Sequence, residues 1–196
     1  MEEKNLTEKA SLELISQMIT SSRRKLEDGN GIPFLIWGYT TFFVSLLVYY
    51  FINATSDYHY HFLWFLIPVI GSIGMFISKR NKAKHSGHAM NFIERVIGNI
   101  WMVIGIAAFL ISVGAFLVRF PVLPLMLLLM GIGTTLTGLT IKFKPVIISG
   151  FIGMASCVLP FIIDGNEQIL VFGVIYLIMM VVPGHIWNYK GRKKHV

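Results

Sequence analysis

The sequence contains one cysteine and few charged residues. Cys157 is the only cysteine among 196 residues, which excludes an intramolecular disulfide framework. Charged residues make up 14% of the chain and hydrophobic residues 55%, and the mean hydropathy is +0.67. A water-soluble domain of this length would need far more charge to cover its surface. The composition therefore predicts a membrane protein.

The sequence also lacks the residue patterns of catalysis and metal binding. Paired carboxylates, a nucleophile elbow, a phosphate-binding loop and a histidine–cysteine cluster are all missing. His85 and His88 lie in a lysine-rich loop, and His59 and His61 flank a tyrosine. No ionisable residue lies at the middle of an apolar run, where an ion-driven carrier would need one. We therefore predict that the protein is not an enzyme and has no catalytic, cofactor-binding or metal-binding residue.

Six long apolar runs follow a polar N-terminal segment. Runs of about 20 residues match the roughly 30 Å hydrocarbon core of a bilayer at 1.5 Å per residue. The predicted spans are residues 34–52, 62–78, 96–118, 122–141, 145–163 and 169–187. We predict an all-α polytopic membrane protein with a six-transmembrane-helix bundle. Its parts are a cytosolic amphipathic helix and turn over 1–32, the bundle over 33–189 and a basic cytosolic tail over 190–196.

Turn and proline signals predict where these helices are interrupted. The polar segment Asn53–His61 is expected to be a loop between the first two spans, and Arg119–Pro121 a tight turn. Pro68 and Pro160 lie within spans and should kink them or open local backbone hydrogen bonds. Pro183-Gly184 is expected to break the last helix near its end.

The basic residues lie at alternate ends of the predicted spans. On one side they are Arg23–Lys25, Lys79–Lys84, Lys142–Lys144 and Lys190–Lys194, and the other side receives only Arg119. By the positive-inside rule, both termini lie in the cytoplasm. The net charge of +7 does not indicate a nucleic-acid partner, because these residues lie between apolar spans rather than on a soluble basic domain. The predicted partner is the lipid bilayer.

The N-terminal segment Thr7–Asp28 has the pattern of an amphipathic helix. Leu12, Ile15, Ile19 and Leu26 recur at helical spacing, and the polar residues fall mostly on other faces. Such a helix could lie against the underside of the bundle, pair with a second copy, or bind a cytosolic protein. A lipid-surface anchor fits less well, because the acids up to residue 28 balance the bases, whereas interfacial helices are usually basic.

The fourth span carries a face of small residues. Gly131, Thr134, Thr135 and Gly138 lie at helical spacing and have no bulk. Small residues let a neighbouring helix approach closely in a membrane. We therefore predict that this face contacts another helix rather than lipid.

Two other polar residues lie within or near the spans. Asn99 lies about one turn inside the third span, and His185 lies near the end of the sixth. Helix packing accounts for a polar residue such as Asn99 without any substrate. His185 is either an interfacial histidine that a carbonyl group satisfies, or a polar gate or ligand contact.

Several segments carry a resemblance to a known group of proteins. They are the helix SLELISQMI, the stretch RRKLEDGNGIPFLIWGY, the central IKFKP and the closing VVPGHIWNY. The chain resembles an uncharacterised family of small multi-pass bacterial inner-membrane proteins with an amphipathic cytosolic N-terminal helix. The resemblance implies a bacterial inner membrane and transfers no activity. In this chain, the residues that match the recurring motifs of the family are Trp37, Gly38, Lys142, Lys144, Pro145, Pro183 and Gly184.

Two classes of function remain open at this point. The first is a non-enzymatic sensor or scaffold whose N-terminal helix couples the bundle to a second copy or to a cytosolic partner. The second is a small-solute or lipid transporter or channel without ion coupling through buried charges. A closed apolar core would favour the first class, and a continuous polar cavity would favour the second.

Overall fold

The computed structural model describes residues 11–17, 31–85, 92–118 and 120–193, and this part of the chain is helical without strands. Residues 11–17 are a helical segment. Six helices are long and apolar enough to cross a membrane, namely Ile32–Thr55, Tyr58–Asn81, Phe92–Leu117, Val122–Ile141, Lys144–Ile162 and Glu167–Gly191. We refer to them as the first to the sixth span. The predicted all-α class with six spans is confirmed.

The connection between the first two spans is shorter than the sequence predicts. The first span ends at Thr55, and a 3-10 helix over Tyr58–Phe65 precedes the α-helix Leu66–His85. The loop predicted over Asn53–His61 is therefore wrong. The Asp57 carboxylate accepts a hydrogen bond of 2.9 Å from the backbone N–H of His59 and so caps the 3-10 helix. The tyrosines and histidines of residues 58–61, which look like part of a polar loop in the sequence, lie in this 3-10 helix.

The predicted effects of two prolines appear as changes of helix type. Pro68 follows the switch from 3-10 to α-helix at Leu66. Pro160 follows a 3-10 turn, Ser156–Val158, that interrupts the fifth span after Lys144–Ala155. A proline has no backbone N–H and cannot donate the usual helical hydrogen bond. Each of these prolines lies close to a point where the hydrogen-bonding pattern of the helix already changes.

The sixth span does not break at Pro183-Gly184, so that prediction is wrong. The span contains the α-helix Glu167–Tyr176, a π-helix over Leu177–Val181 and a further α-helix, Val182–Lys193. The backbone N–H of Val182 donates to the carbonyl of Leu177, five residues back. The wider turn makes room for the proline ring, which in a regular α-helix would clash with the carbonyl four residues earlier.

Four of the spans enclose the main hydrophobic core. The first, fourth, fifth and sixth spans contribute buried residues that include Phe34, Leu127, Ile141, Val146, Phe172, Ile175, Tyr176, Met179, Met180 and Trp187. The second span packs on the first, where the Trp37 ring covers Gly71, and the third packs on the fourth, where Ile104 contacts Gly133. The second and third spans are therefore peripheral, with most of their surface outside the core.

Contacts between span ends show that the helices run alternately up and down. At one end the rings of Phe143 and Trp187 stack with centroids 5.8 Å apart, and the Lys190 ammonium lies 5.2 Å from the Phe143 centroid. We call this the basic end. At the opposite end Asn166 donates a 2.8 Å hydrogen bond to the side-chain oxygen of Asn53. The basic turn between the fourth and fifth spans thus lies beside the end of the sixth.

Candidate functional site

The fourth and fifth spans meet along a line of very close contacts that we call the fourth–fifth seam. A Cβ atom at Gly138 would lie 2.7 Å from the backbone nitrogen of Ile147. A Cβ atom at Gly131 would lie 2.7 Å from the backbone nitrogen of Met154. Because backbone atoms stand at these distances, a larger side chain would need the helices to separate. The helix contact predicted for these positions is present.

The hydroxyl groups of the fourth span fall into two kinds. Thr135 and Thr137 each donate to the carbonyl four residues earlier on the same helix, at 2.8 Å. Thr134 is 0% exposed, and among the described residues its hydroxyl has no hydrogen-bond partner. Buried hydroxyl groups are nearly always hydrogen-bonded, so Thr134 is the exception in the core. In the sequence, Thr134 is recognisable only as a small residue, and nothing there distinguishes its hydroxyl from those of Thr135 and Thr137.

The first and sixth spans form a second close contact, the first–sixth seam. A Cβ atom at Gly38 would lie 2.6 Å from the Val181 side chain, and one at Gly184 would lie 2.9 Å from the Leu35 side chain. Pro183 is fully buried beside this contact. Three of the candidates predicted from the resemblance thus lie together, and each has a packing role.

Sequence reasoning missed the other half of the first–sixth seam. The backbone N–H of Gly31 donates a 2.9 Å hydrogen bond to the side-chain oxygen of Asn188. A Cβ atom at Gly173 would lie 2.9 Å from the Cβ of Ser45. The signal that could have revealed this seam is the seven-residue spacing of Gly31, Gly38 and Ser45, which places small residues on one face every two turns.

The π-helix leaves polar backbone groups near the middle of the sixth span. The N–H of Val182 bonds to Leu177 instead of Ile178, and Pro183 has no N–H to offer Met179. The usual α-helical donors to the carbonyls of Ile178 and Met179 are therefore both lost. Single π-turns of this kind are frequent at functional sites, which makes this segment a candidate for conformational change.

His185 lies on the outside of the bundle. Its side chain is exposed, and its Nε2 atom lies 2.9 Å from the Tyr39 hydroxyl in a hydrogen bond between the first and sixth spans. The two rings also pack edge to face, with centroids 6.0 Å apart. This position favours an interfacial histidine, because the side chain does not point between the spans.

The remaining two candidates lie apart from both seams. Trp37 is half-buried, with its ring against the backbone of Gly71 in the second span. Asn99 is exposed on the third span. The ten candidate residues therefore divide among two packing seams and the bundle surface, and they do not converge on one polar site.

An open groove of about 410 Å³ lies at the end opposite the basic end. Its lining residues are Ser56, Asp57, Tyr58, His59, His61, Phe62 and Phe116. The backbone N–H of His59 holds the pKa of the Asp57 carboxyl below its usual value, and the His59 ring lies 2.6 Å from the same oxygen. This carboxylate therefore already has its partners. In the described part of the chain, no three His, Cys, Asp or Glu side chains form a group that could hold a metal ion.

In the described part of the chain, the geometry thus consists of two helix seams, the buried Thr134 hydroxyl without a partner and an aromatic groove at the surface. These features describe a packed membrane bundle, and none of them is an assembled catalytic constellation. The chain matches no family model, no curated protein and no solved structure.

Proposed function

We propose that the protein is a non-enzymatic membrane sensor or scaffold that couples its bundle to a second copy or to a cytosolic partner through residues 7–28. The observation that carries this proposal is the exposure of Leu12 and Ile15, at 68% and 53%, on the helical segment 11–17. Residues 7–10 and 18–28 of the predicted helix lie outside the described residues. Paired apolar side chains on an amphipathic helix favour binding to another protein surface.

The packing of the bundle supports this proposal over a transporter. The space between the first, fourth, fifth and sixth spans is filled by apolar side chains. Of the buried polar side chains, Ser45, Thr135, Thr137 and Ser149 bond to carbonyls of their own helices. A solute path would instead need polar groups that face a shared cavity.

A small-solute or lipid transporter is the alternative, and one observation favours it. Thr134 and the π-helix Leu177–Val181 both lie near the middle of their spans; the Thr134 hydroxyl has no partner among the described residues, and the π-helix removes the usual α-helical donors to two backbone carbonyls. Groups of this kind line the substrate paths of membrane carriers with interrupted helices. The effect of Thr134→Val on the stability of the protein distinguishes the two functions.

We propose further that the protein lies in a bacterial inner membrane with both termini in the cytoplasm. The basic residues of the chain and the resemblance to the inner-membrane family support this orientation. An impermeant thiol reagent on intact cells tests it, after Cys157 is replaced by alanine. Single cysteines at Arg80 and Lys144 should stay unlabelled until the cells are permeabilised, and those at Asp57 and Asp164 should be labelled at once. The reverse pattern would invert the orientation.

The coupling role of the N-terminal helix predicts contacts that depend on its face. In the full-length protein, a photo-crosslinking amino acid at Leu12 or Ile15 should form adducts with protein in native membranes. The same probe at Glu13, on another face of this segment, is the matched control and should form few. Adducts mainly with lipid would make the helix an anchor and rule out the coupling role. Mass spectrometry of the adducts identifies a second copy or another protein as the partner.

A further inference from the structure

In the part of the chain that the structure describes, no other span covers the outward face of the third span. Within Phe92–Leu117, the buried side chains are Ile93 and Ile104. On the outward side, exposed residues recur with alternating spacings of four and three. We call this series the third-span seam, and its members are Asn99, Val103, Ile106, Leu110, Val113 and Leu117. The alternation is the heptad pattern of a helix that packs along a parallel partner helix.

Asn99 is the only polar member of the third-span seam, and lipid tails cannot form hydrogen bonds with its side chain. It lies seven residues from the start of the helix, which places it about 10 Å along an axis of about 39 Å. A helix centred on a hydrocarbon core of about 30 Å then holds Asn99 inside the apolar region. Its carboxamide offers two donors and an acceptor, and no hydrogen bond to any of them is found among the described residues. A polar group in hydrocarbon without a hydrogen bond is costly, so Asn99 requires a partner that lipid tails do not provide.

We propose that the third-span seam is the interface at which two copies of this protein pair within the membrane. Both copies insert with the same orientation, so a two-fold axis normal to the membrane brings identical residues together at identical depth. The Asn99 carboxamide then faces its own counterpart, and each N–H can donate to the opposite oxygen. A single asparagine in an apolar heptad specifies register in this way, and such bonds contribute to helix association in membranes.

The charged residue near the seam is compatible with this pairing. Arg95 lies one turn closer to the basic end than Asn99 and is exposed. Two copies would bring two Arg95 residues near each other. The long arginine side chain can extend its guanidinium towards the lipid headgroups, which limits the repulsion.

Cysteine crosslinking in native membranes tests the register of the interface. With Cys157 replaced by alanine, single cysteines at Val103, Ile106 and Leu110 should give crosslinked dimers on oxidation with copper phenanthroline. Matched controls at Gly105 and Phe109 are also exposed on the third span but lie about 80° or more from the seam axis at 100° per residue. They should give little dimer. Equal crosslinking at both sets, or none at the seam, would overturn the proposal and leave lipid as the occupant.

Substitution of Asn99 tests its part in the pairing. Asn99→Leu should weaken dimerisation of the full-length protein about fivefold to thirtyfold, the effect of a hydrogen bond of this kind in model transmembrane peptides. Asn99→Gln keeps the carboxamide and should restore much of the affinity. Single-molecule subunit counting at graded protein-to-lipid ratios gives the dissociation constant, and an unchanged unfolding midpoint shows that each variant is folded. Dimerisation that is unchanged or stronger in Asn99→Leu would refute the role of Asn99.

Discussion

Gly138→Ala is expected to destabilise the bundle by about 1–3 kcal/mol, the usual cost of overpacking a well-packed core. The added Cβ would lie 2.7 Å from the backbone nitrogen of Ile147 and 3.0 Å from the carbonyl carbon of Val146. Carbon atoms in contact normally lie about 3.5–4.0 Å apart, so the fourth and fifth spans must separate. The unfolding midpoint in detergent, followed by circular dichroism, measures the effect.

Gly114→Ala is the matched control for this prediction. Gly114 is also a helical glycine of a span, and its added Cβ would lie 3.4 Å from the Phe120 ring, an ordinary contact distance. Alanine favours a helix over glycine by about 1 kcal/mol, so this variant should be neutral or slightly more stable. If Gly138→Ala behaves like Gly114→Ala, the fourth–fifth seam is not closely packed and the description of this contact is wrong.

Thr134→Val is expected to stabilise the protein by about 1–3 kcal/mol, the cost of a buried polar group left without a hydrogen bond. Valine has nearly the shape of threonine, and the Thr134 side chain is fully buried with no partner for its hydroxyl among the described residues. The substitution therefore removes an unsatisfied group and creates no cavity. Chemical or thermal unfolding in detergent measures the change.

The opposite sign in Thr134→Val would carry a different meaning. If valine destabilises the protein, the hydroxyl has a partner in the membrane, either a water molecule or a bound solute. That result would favour the transporter over the scaffold. Thr135→Val is the control, because its hydroxyl donates to the Gly131 carbonyl at 2.8 Å. This hydrogen bond stays within one helix, so its loss should cost no more than about 1 kcal/mol.

The location of the spans follows from the sequence because it depends on local composition. The fourth span is observed at Val122–Ile141, the predicted bounds, since a proline precedes it and a lysine follows it. The predicted end of a span is less accurate where the helix continues through polar residues beyond the apolar run. The α-helix that begins at Leu66 extends to His85, because lysine, arginine and alanine are good helix formers in water.

The candidate site is less predictable from the sequence than the spans are. The small face of the fourth span was identified because four residues share one helix face. The contact between the two sides of the first–sixth seam is not predictable from the sequence, because Gly31 and Gly184 are separated by more than 150 residues and their contact depends on how two distant helices cross. The effect of Pro183 was mistaken for a break, because sequence alone does not distinguish a broken helix from a π-turn that absorbs the ring.

The sequence by itself determined the class of the protein, the number of its spans and the alternation of its basic ends. The class and the number of spans arise from the transfer of apolar residues from water to hydrocarbon, which depends on each segment separately. The alternation follows from where lysine and arginine fall between the spans. The tertiary structure decided which spans form the core and which lie at its edge. It also decided that Thr134 lacks a partner, whereas Thr135 bonds within its helix. These properties depend on the contacts between helices, which the hydrophobicity of a single helix does not specify.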